Sequence, residues 1–243
     1  MKILAISDEV VDFIYSPQIK QKYADVDLVL GCGDLPFYYL EYIVTILDVP
    51  LYYVPGNHDR REQYLSDGRV VYRAEGCERL DGRAVGLPAV SLASQRGPQA
   101  QALAAAAPRL LLAGLGGSLR YNQDIGHQHT ETEMYSRALS LAPHLAVNRL
   151  RYGRCLDILV THAPPRGIHD RDDLAHTGFQ TFRRFMDVFQ PSLLLHGHSH
   201  IYRGDTITST RYKNTQVINV YPYRVIEWEP EPHGRYHPTA RPG

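Results

Sequence analysis

Cysteine is scarce in the 243-residue sequence: only Cys32, Cys77 and Cys155 occur, and no two form a CxxC pair. An odd, scattered count excludes a disulfide-built secreted scaffold and suits a reducing cytoplasm, which is the expected location. An excess of one charge is missing too. Lys+Arg and Asp+Glu number 26 each, so the formal net charge is zero. Bulk electrostatics therefore cannot hold the chain on nucleic acid or on an anionic membrane, although a local basic groove stays open. Long apolar runs are also absent, since the Ala/Leu-rich stretch 100–117 is cut by Pro108 and Arg109, which excludes a membrane span there. The start, MKILAISDEVVDF, meets acidic residues at once and reads as a first strand rather than a signal peptide. What the sequence does have is histidine, twelve in all, and their positions carry most of the functional reading.

Short runs rich in Val, Ile and Leu recur at 2–7, 27–31, 51–54, 109–113, 156–161 and 192–195. Runs of this kind read as strands buried on both faces, as in a parallel or mixed sheet covered by helices. Amphipathic stretches at 17–24, 37–47, 131–142 and 179–189 supply the helices, with Pro17 and Pro36 suited to first-turn positions. The pattern defines an α/β class. Residues 205–228 alternate around a turn at Lys213-Asn214 and predict two antiparallel strands. Residues 94–108 read as a low-complexity insertion, and 229–243 as a loose proline-rich tail. With no repeat and no linker, one domain over 1–228 is expected.

Polar residues follow each of five apolar runs. Asp8 follows the first, Asp34 the second, and Asn57, His58 and Asp59 the third; His162 follows 156–161, and His198 and His200 follow the last. In open α/β sheets ligands bind at the carboxyl ends of the strands, so these distant side chains converge. Singly, each has a plainer reading: Asp8 a strand-end turn, Asp34 a helix cap, Asn57-His58-Asp59 a turn, His162 a half-buried core histidine. Jointly those readings fail, because turn chemistry gives no reason for His after three separate strands. Carboxylate, amide oxygen and imidazole form a mixed O/N ligand group suited to Mn, Fe, Zn or Ni, and the absence of thiolates excludes a structural zinc knot. The number of ligands points to two metals sharing a carboxylate, an arrangement that holds a hydroxide and clamps phosphoryl oxygens.

GCGD (31–34), GNHD (56–59), THAPP (161–165) and GHSH (197–200), after SD (7–8), resemble the motifs of the calcineurin-like metallophosphoesterases, in the family's order and over roughly 1–228. The resemblance implies a four-layer αββα sandwich of two mixed sheets flanked by helices. It also implies hydrolysis of a phosphate mono- or diester by a metal-activated hydroxide, with one or two divalent ions per chain. Position by position, Asp34 is similar to the bridging carboxylate, and Asn57, His162 and His198 resemble the ligands of one ion. Asp8 and His200 resemble ligands of the other, and His58 matches the histidine beside the scissile phosphate. One position departs: the family's Asp-x-His reads Asp8-Glu9-Val10 here. The site of Asp8 and His200 is therefore expected to be weakened, with Glu9 and Asp12 as the nearby carboxylates that could stand in.

Other motifs read more plainly. His196 is expected to pack beside the site or to hold a ligand in place. Cys32 reads as a small buried residue, and GLGGS (114–118), which lacks the P-loop lysine, as a tight loop at the sheet edge. Arg120 and Arg166 are each either a phosphate contact or a solvated side chain. HQH (127–129) reads as a solvated loop, and Tyr38, Tyr39 and Tyr42 as packing on the sheet. A small phosphoester is the expected substrate, with no membrane partner. Two alternatives stand beside it: a metal-binding scaffold with weakened chemistry, supported by Val10, and a nuclease of the same superfamily, disfavoured by the neutral charge.

Overall fold

The computed structural model describes residues 1–60, 62–64, 68–88, 109–123, 126–201 and 206–229. The insertion expected over 94–108, and all of the expected tail except Glu229, lie outside them. The first half of the chain forms β1 (Lys2–Ile6), α1 (Gln18–Lys22), β2 (Leu28–Gly31), α2 (Phe37–Leu47) and β3 (Leu51–Tyr53). Short strands β4 (Gln63–Tyr64), β5 (Val70–Val71) and β6 (Glu78–Arg79) follow, then β7 (Ala84–Pro88), β8 (Arg109–Leu115), β9 (Ser118–Leu119) and β10 (Gln128–His129). The second half holds α3 (Glu131–Ser140), α4 (Ala142–Tyr152), β11 (Ile158–Thr161), α5 (Gln180–Phe189) and β12 (Leu193–His196). It ends in β13 (Ser209–Tyr212), β14 (Thr215–Asn219) and β15 (Tyr223–Glu227).

Two main sheets result, in the orders β15-β1-β2-β3-β6 and β13-β14-β12-β11-β8-β7. Their inner strands run parallel, while β15, β13 and β7 pair antiparallel with β1, β14 and β8. Both sheets are therefore mixed.

The apolar clusters account for the layering. Ile3, Ala5, Leu28 and Leu30 of the first sheet pack against Leu110, Leu112, Ile158, Val160, Leu193 and Leu195 of the second. The alternate residues Leu4, Ile6, Val29 and Leu51 turn outward onto Ile19 of α1 and Leu40 and Ile43 of α2. In the second sheet Leu111, Ala113, Leu159 and Leu194 turn outward onto Met134 of α3, Leu145 of α4 and Phe182 and Phe185 of α5. Because strand side chains alternate faces, successive apolar residues of these runs lie in one apolar layer or the other, which is why the runs are continuous. Three apolar layers between four layers of elements give the α/β sandwich with helices outside.

All six apolar runs form strands. The largest elements that were not expected are α4, joined to α3 through Leu141 with Pro143 in its first turn, and β7 beside β8; the two-residue strands β4, β5, β6, β9 and β10 were not expected either. Within the expected 205–228 segment, β13 and β14 make the predicted hairpin, with Lys213 in the left-handed conformation at φ 52°, and β15 follows as a third strand that crosses to the other sheet. No helix among the described residues is long and apolar enough to cross a membrane.

Candidate metal centre

Strands β1, β2, β3, β11 and β12 end on one edge of the sandwich, and the loops beyond them are tied together across both sheets. Asp8 N–H donates to the Gly33 carbonyl at 3.0 Å, and Gly197 N–H donates to the His162 carbonyl at 3.0 Å. The His198 N–H reaches the Asp8 carboxylate, 2.9 Å from Oδ2, linking the first sheet to the second. Asp8, Asp34 and His198 all have left-handed backbones, with φ of 66°, 56° and 64°. Non-glycine residues rarely adopt this conformation, and such strain collects at functional sites. Two glycines permit the close approach. A Cβ at Gly56 would overlap the Asp34 carboxylate, and one at Gly197 would overlap Ser7 Oγ and the Asp8 carboxylate.

The ligand atoms of Asp34, His162 and His198 lie within 4.8 Å of one another. His162 is fully buried, and its Nδ1 donates to the Cys32 carbonyl at 2.8 Å. Its Nε2 faces Asn57 Oδ1 at 2.9 Å and Asp34 Oδ2 at 3.3 Å. His198 likewise donates Nε2–H to the Ala175 carbonyl at 2.7 Å, leaving Nδ1 as its lone-pair nitrogen. With one N–H of each ring committed to a backbone carbonyl, the other nitrogen is a ready ligand. A neutral His162 would turn a lone pair to the Asn57 and Asp34 oxygens, all acceptors, so the cluster calls for positive charge at this point, a proton on Nε2 or a metal ion in its place.

Without an ion, a proton on His162 fills that need. Burial works against charge on His162, but the Asp34 carboxylate overrides it and lifts His162 to about 9. Burial also opposes ionisation of Asp34, yet His162 and the His58 N–H, donated to Oδ1 at 2.8 Å, hold it down to about 2. His198 is pushed down to about 4 by burial and by the neighbouring His162. The donor set, one carboxylate, one amide oxygen and two imidazoles, fits a borderline divalent ion.

Asp8 and His200 stand beside this cluster. His200 Nε2 is 3.5 Å from Asp8 Oδ1, and its ring stacks on Tyr221 with centroids 4.6 Å apart. Val10 packs on the apolar cluster between the first sheet and its helices. Of the two carboxylates that could stand in, Glu9 accepts from the Tyr221 hydroxyl at 2.7 Å, and Asp12 is exposed. His58 is exposed at the mouth of the site. The structure thus brings Asp8, Asp34, Asn57, His162, His198 and His200 together, with His58 at the rim.

Several contributors had no role assigned from sequence. Asp59 Oδ2 accepts both the Asp34 N–H at 2.9 Å and the Gly56 N–H at 2.7 Å, and burial together with the Asp34 charge pushes it up to about 7. Its place in GNHD was the available signal. Ser7 Oγ donates to Asp8 Oδ2 at 2.5 Å, and the Tyr121 hydroxyl accepts from Asn57 Nδ2 at 3.2 Å. Tyr121 carried no signal, because only the fold brings it beside Asn57. The expectation of a solvated loop at HQH is corrected: His127 and Gln128 are buried and β10 pairs with β9, because Ser118 N–H and Arg120 N–H donate to the carbonyls of His127 and His129. Of the two arginines, Arg120 is paired with Glu133 at 2.9 Å and Arg166 with Asp170 at 3.5 Å.

The comparisons with known proteins agree with the fold and with the motifs. The family profile of the calcineurin-like phosphoesterases matches residues 1–202, and the chain belongs to that family. No curated protein matches the chain. Among solved structures, one crystal structure aligns at TM-score 0.55 with 14% identity, over 93% of this chain and 94% of its own. TT1561 of Thermus thermophilus aligns at TM-score 0.54 with 15% identity, over 90% of this chain and 88% of its own. At such identities the likeness is one of fold.

Proposed function

We propose that the chain is a metal-dependent phosphoesterase acting on a small phosphate mono- or diester. The observation that carries this reading is the convergence of Asp34, His162 and His198, with each histidine's spare N–H committed to a backbone carbonyl. Asp34, Asn57, His162 and His198 would hold one divalent ion, and Asp8, His200 and Asp34 a second, more weakly supplied one. A bound divalent ion there supplies a water of lowered pKa and stabilises charge on phosphoryl oxygens.

The remaining chemistry falls to the protein. Asp34 is kept ionised by its neighbours, so it presents charge throughout the working pH range. His58 is exposed, and its backbone is pinned to Asp34 Oδ1 at 2.8 Å. It can thus meet the leaving oxygen of a substrate docked on the site and donate a proton to it. Backbone N–H groups donated to the Asp8 and Asp34 carboxylates, and the Ala175 carbonyl on His198 Nε2, hold these side chains in place before substrate arrives, which is the pre-organisation that electrostatic catalysis requires.

The test begins with bound metal counted on the purified chain. One tightly held ion and one readily lost ion are expected; two tightly held ions per chain would sink the weak-site part of the reading. A screen of Mn, Fe, Zn and Ni against nitrophenyl phosphate mono- and diesters should then show turnover. Asp34→Asn and His58→Ala should each lower kcat by about 100-fold or more. No turnover with any metal would favour a metal-binding scaffold, and salt-sensitive binding to oligonucleotides a nuclease.

A further inference from the structure

The loop after β8 returns to the metal centre through one side chain. Asn57 is 6% exposed, and its amide has two ends with different needs. When its oxygen is turned to the cluster, 2.9 Å from His162 Nε2, its nitrogen must find an acceptor inside the protein. That acceptor is the Tyr121 hydroxyl, at 3.2 Å. A buried N–H without an acceptor is costly, so the orientation that offers oxygen to a cation depends on this partner.

Tyr121 is itself held in place. Its N–H donates to Gln128 Oε1 at 3.1 Å, and Gln128 Nε2 donates to Asn122 Oδ1 at 2.9 Å. Gln128 is 2% exposed, the buried middle residue of the HQH segment. At the start of the loop, Gly117 N–H donates to the Pro55 carbonyl at 2.8 Å, fastening it to the turn that carries Asn57. Gly116 of GLGGS serves the same close packing: a Cβ there would overlap Pro55.

We infer that Tyr121 is a positioning residue of the metal centre: its hydroxyl takes the Asn57 amide hydrogen and so keeps the Asn57 oxygen turned toward the cation. The inference rests on the reading of the site as a metal centre. It assigns Tyr121 and its support Gln128 a purpose that the family motifs leave blank.

The test is a calorimetric titration of Mn²⁺ into chelator-stripped full-length protein, compared across a double-mutant cycle. Tyr121→Phe keeps the ring and removes the acceptor, and should weaken the tighter site about tenfold, the range for removing a ligand's hydrogen-bond partner. Asn57→Asp carries no N–H that needs an acceptor. In that background the same Tyr121→Phe change should weaken binding by no more than about threefold. Unchanged affinity in Tyr121→Phe would overturn the inference. So would an equal loss in both backgrounds, which would make Tyr121 a support for the loop rather than for the amide. Failure of the parent protein to take up metal would instead overturn the metal-centre reading, so the two failures are distinguishable.

Discussion

His169 and His196 form a hydrogen-bonded pair behind the candidate metal centre, and its proton pattern is fixed from the Gly197 end. The Gly197 carbonyl can only accept, so His196 Nδ1 donates to it at 2.9 Å. His196 Nε2 then accepts from His169 Nδ1 at 2.9 Å, and His169 Nε2 accepts from Thr210 Oγ1 at 2.9 Å. A proton added to His196 Nε2 puts donor against donor, and one added to His169 Nε2 forces the Thr210 hydroxyl to turn from donor to acceptor. Burial, and then the Arg224 charge, hold His169 down to about 4; burial, and then its partner, hold His196 well below its usual value. A histidine held low is neutral in the folded state, so its contribution is complete above about pH 6.5 and is lost as pH falls toward about 4. For His169 alone this amounts to about 3 kcal/mol. Denaturant unfolding of chelated protein at pH 7.5 and 4.5 should therefore show a smaller pH loss in His169→Gln than in the parent; equal losses would refute it. At this scale the sequence was partly legible. His196 could be placed beside the site because it adjoins GHSH, whereas His169 could not, since its partners Thr210 and His196 come from two other strands.

The N-terminus of α5 shows how one element completes another. Phe179 occupies its cap position and has no side-chain acceptor to offer. Glu131, in the first turn of α3, supplies one: it accepts from Gln180 N–H at 3.2 Å, Thr181 N–H at 2.5 Å and Thr181 Oγ1 at 2.6 Å. One carboxylate thus sits at two helix N-termini, where the exposed N–H groups favour negative charge. Glu131→Ala should cost about 1–2 kcal/mol, read as a lower urea midpoint with an unchanged slope. No shift would show that water replaces the cap. The apolar rhythm revealed α3 and α5, but not their contact. It also missed α4, because Ala142-Pro143 reads as a break when proline in fact opens a new helix there. The last strand was illegible for another reason: alternation predicts a strand but not which sheet receives it, and β15 leaves its hairpin to pair with β1.

The whole molecule is closed by that strand. Met1 and Trp228 exchange backbone hydrogen bonds at 2.8 Å in both directions, and Trp228, 2% exposed, fills the layer between the sheets. Trp228 and the strand before it lie beyond the segment that matches the family, which ends at 202. The two sheets are thus joined by the chain between β14 and β15, which passes the site where Tyr221 stacks on His200, and by the candidate centre itself. Asp8, Asp34 and Asn57 come from the first sheet, His162, His198 and His200 from the second. An ion held by both sheets binds the folded chain and has no comparable site in the unfolded one, so it must stabilise the fold by mass action. At a free concentration one hundred times its dissociation constant the gain is about 2.7 kcal/mol. For a chain of this size that corresponds to a rise in Tm of about 5–10 °C. Thermal unfolding with Mn²⁺ should show this rise, and excess chelator should reverse it. His162→Ala removes a ligand from the second sheet alone and should abolish the metal-dependent part, whatever it does to the metal-free Tm. A full metal-dependent rise retained in His162→Ala would place the ion elsewhere, and with it the chemistry.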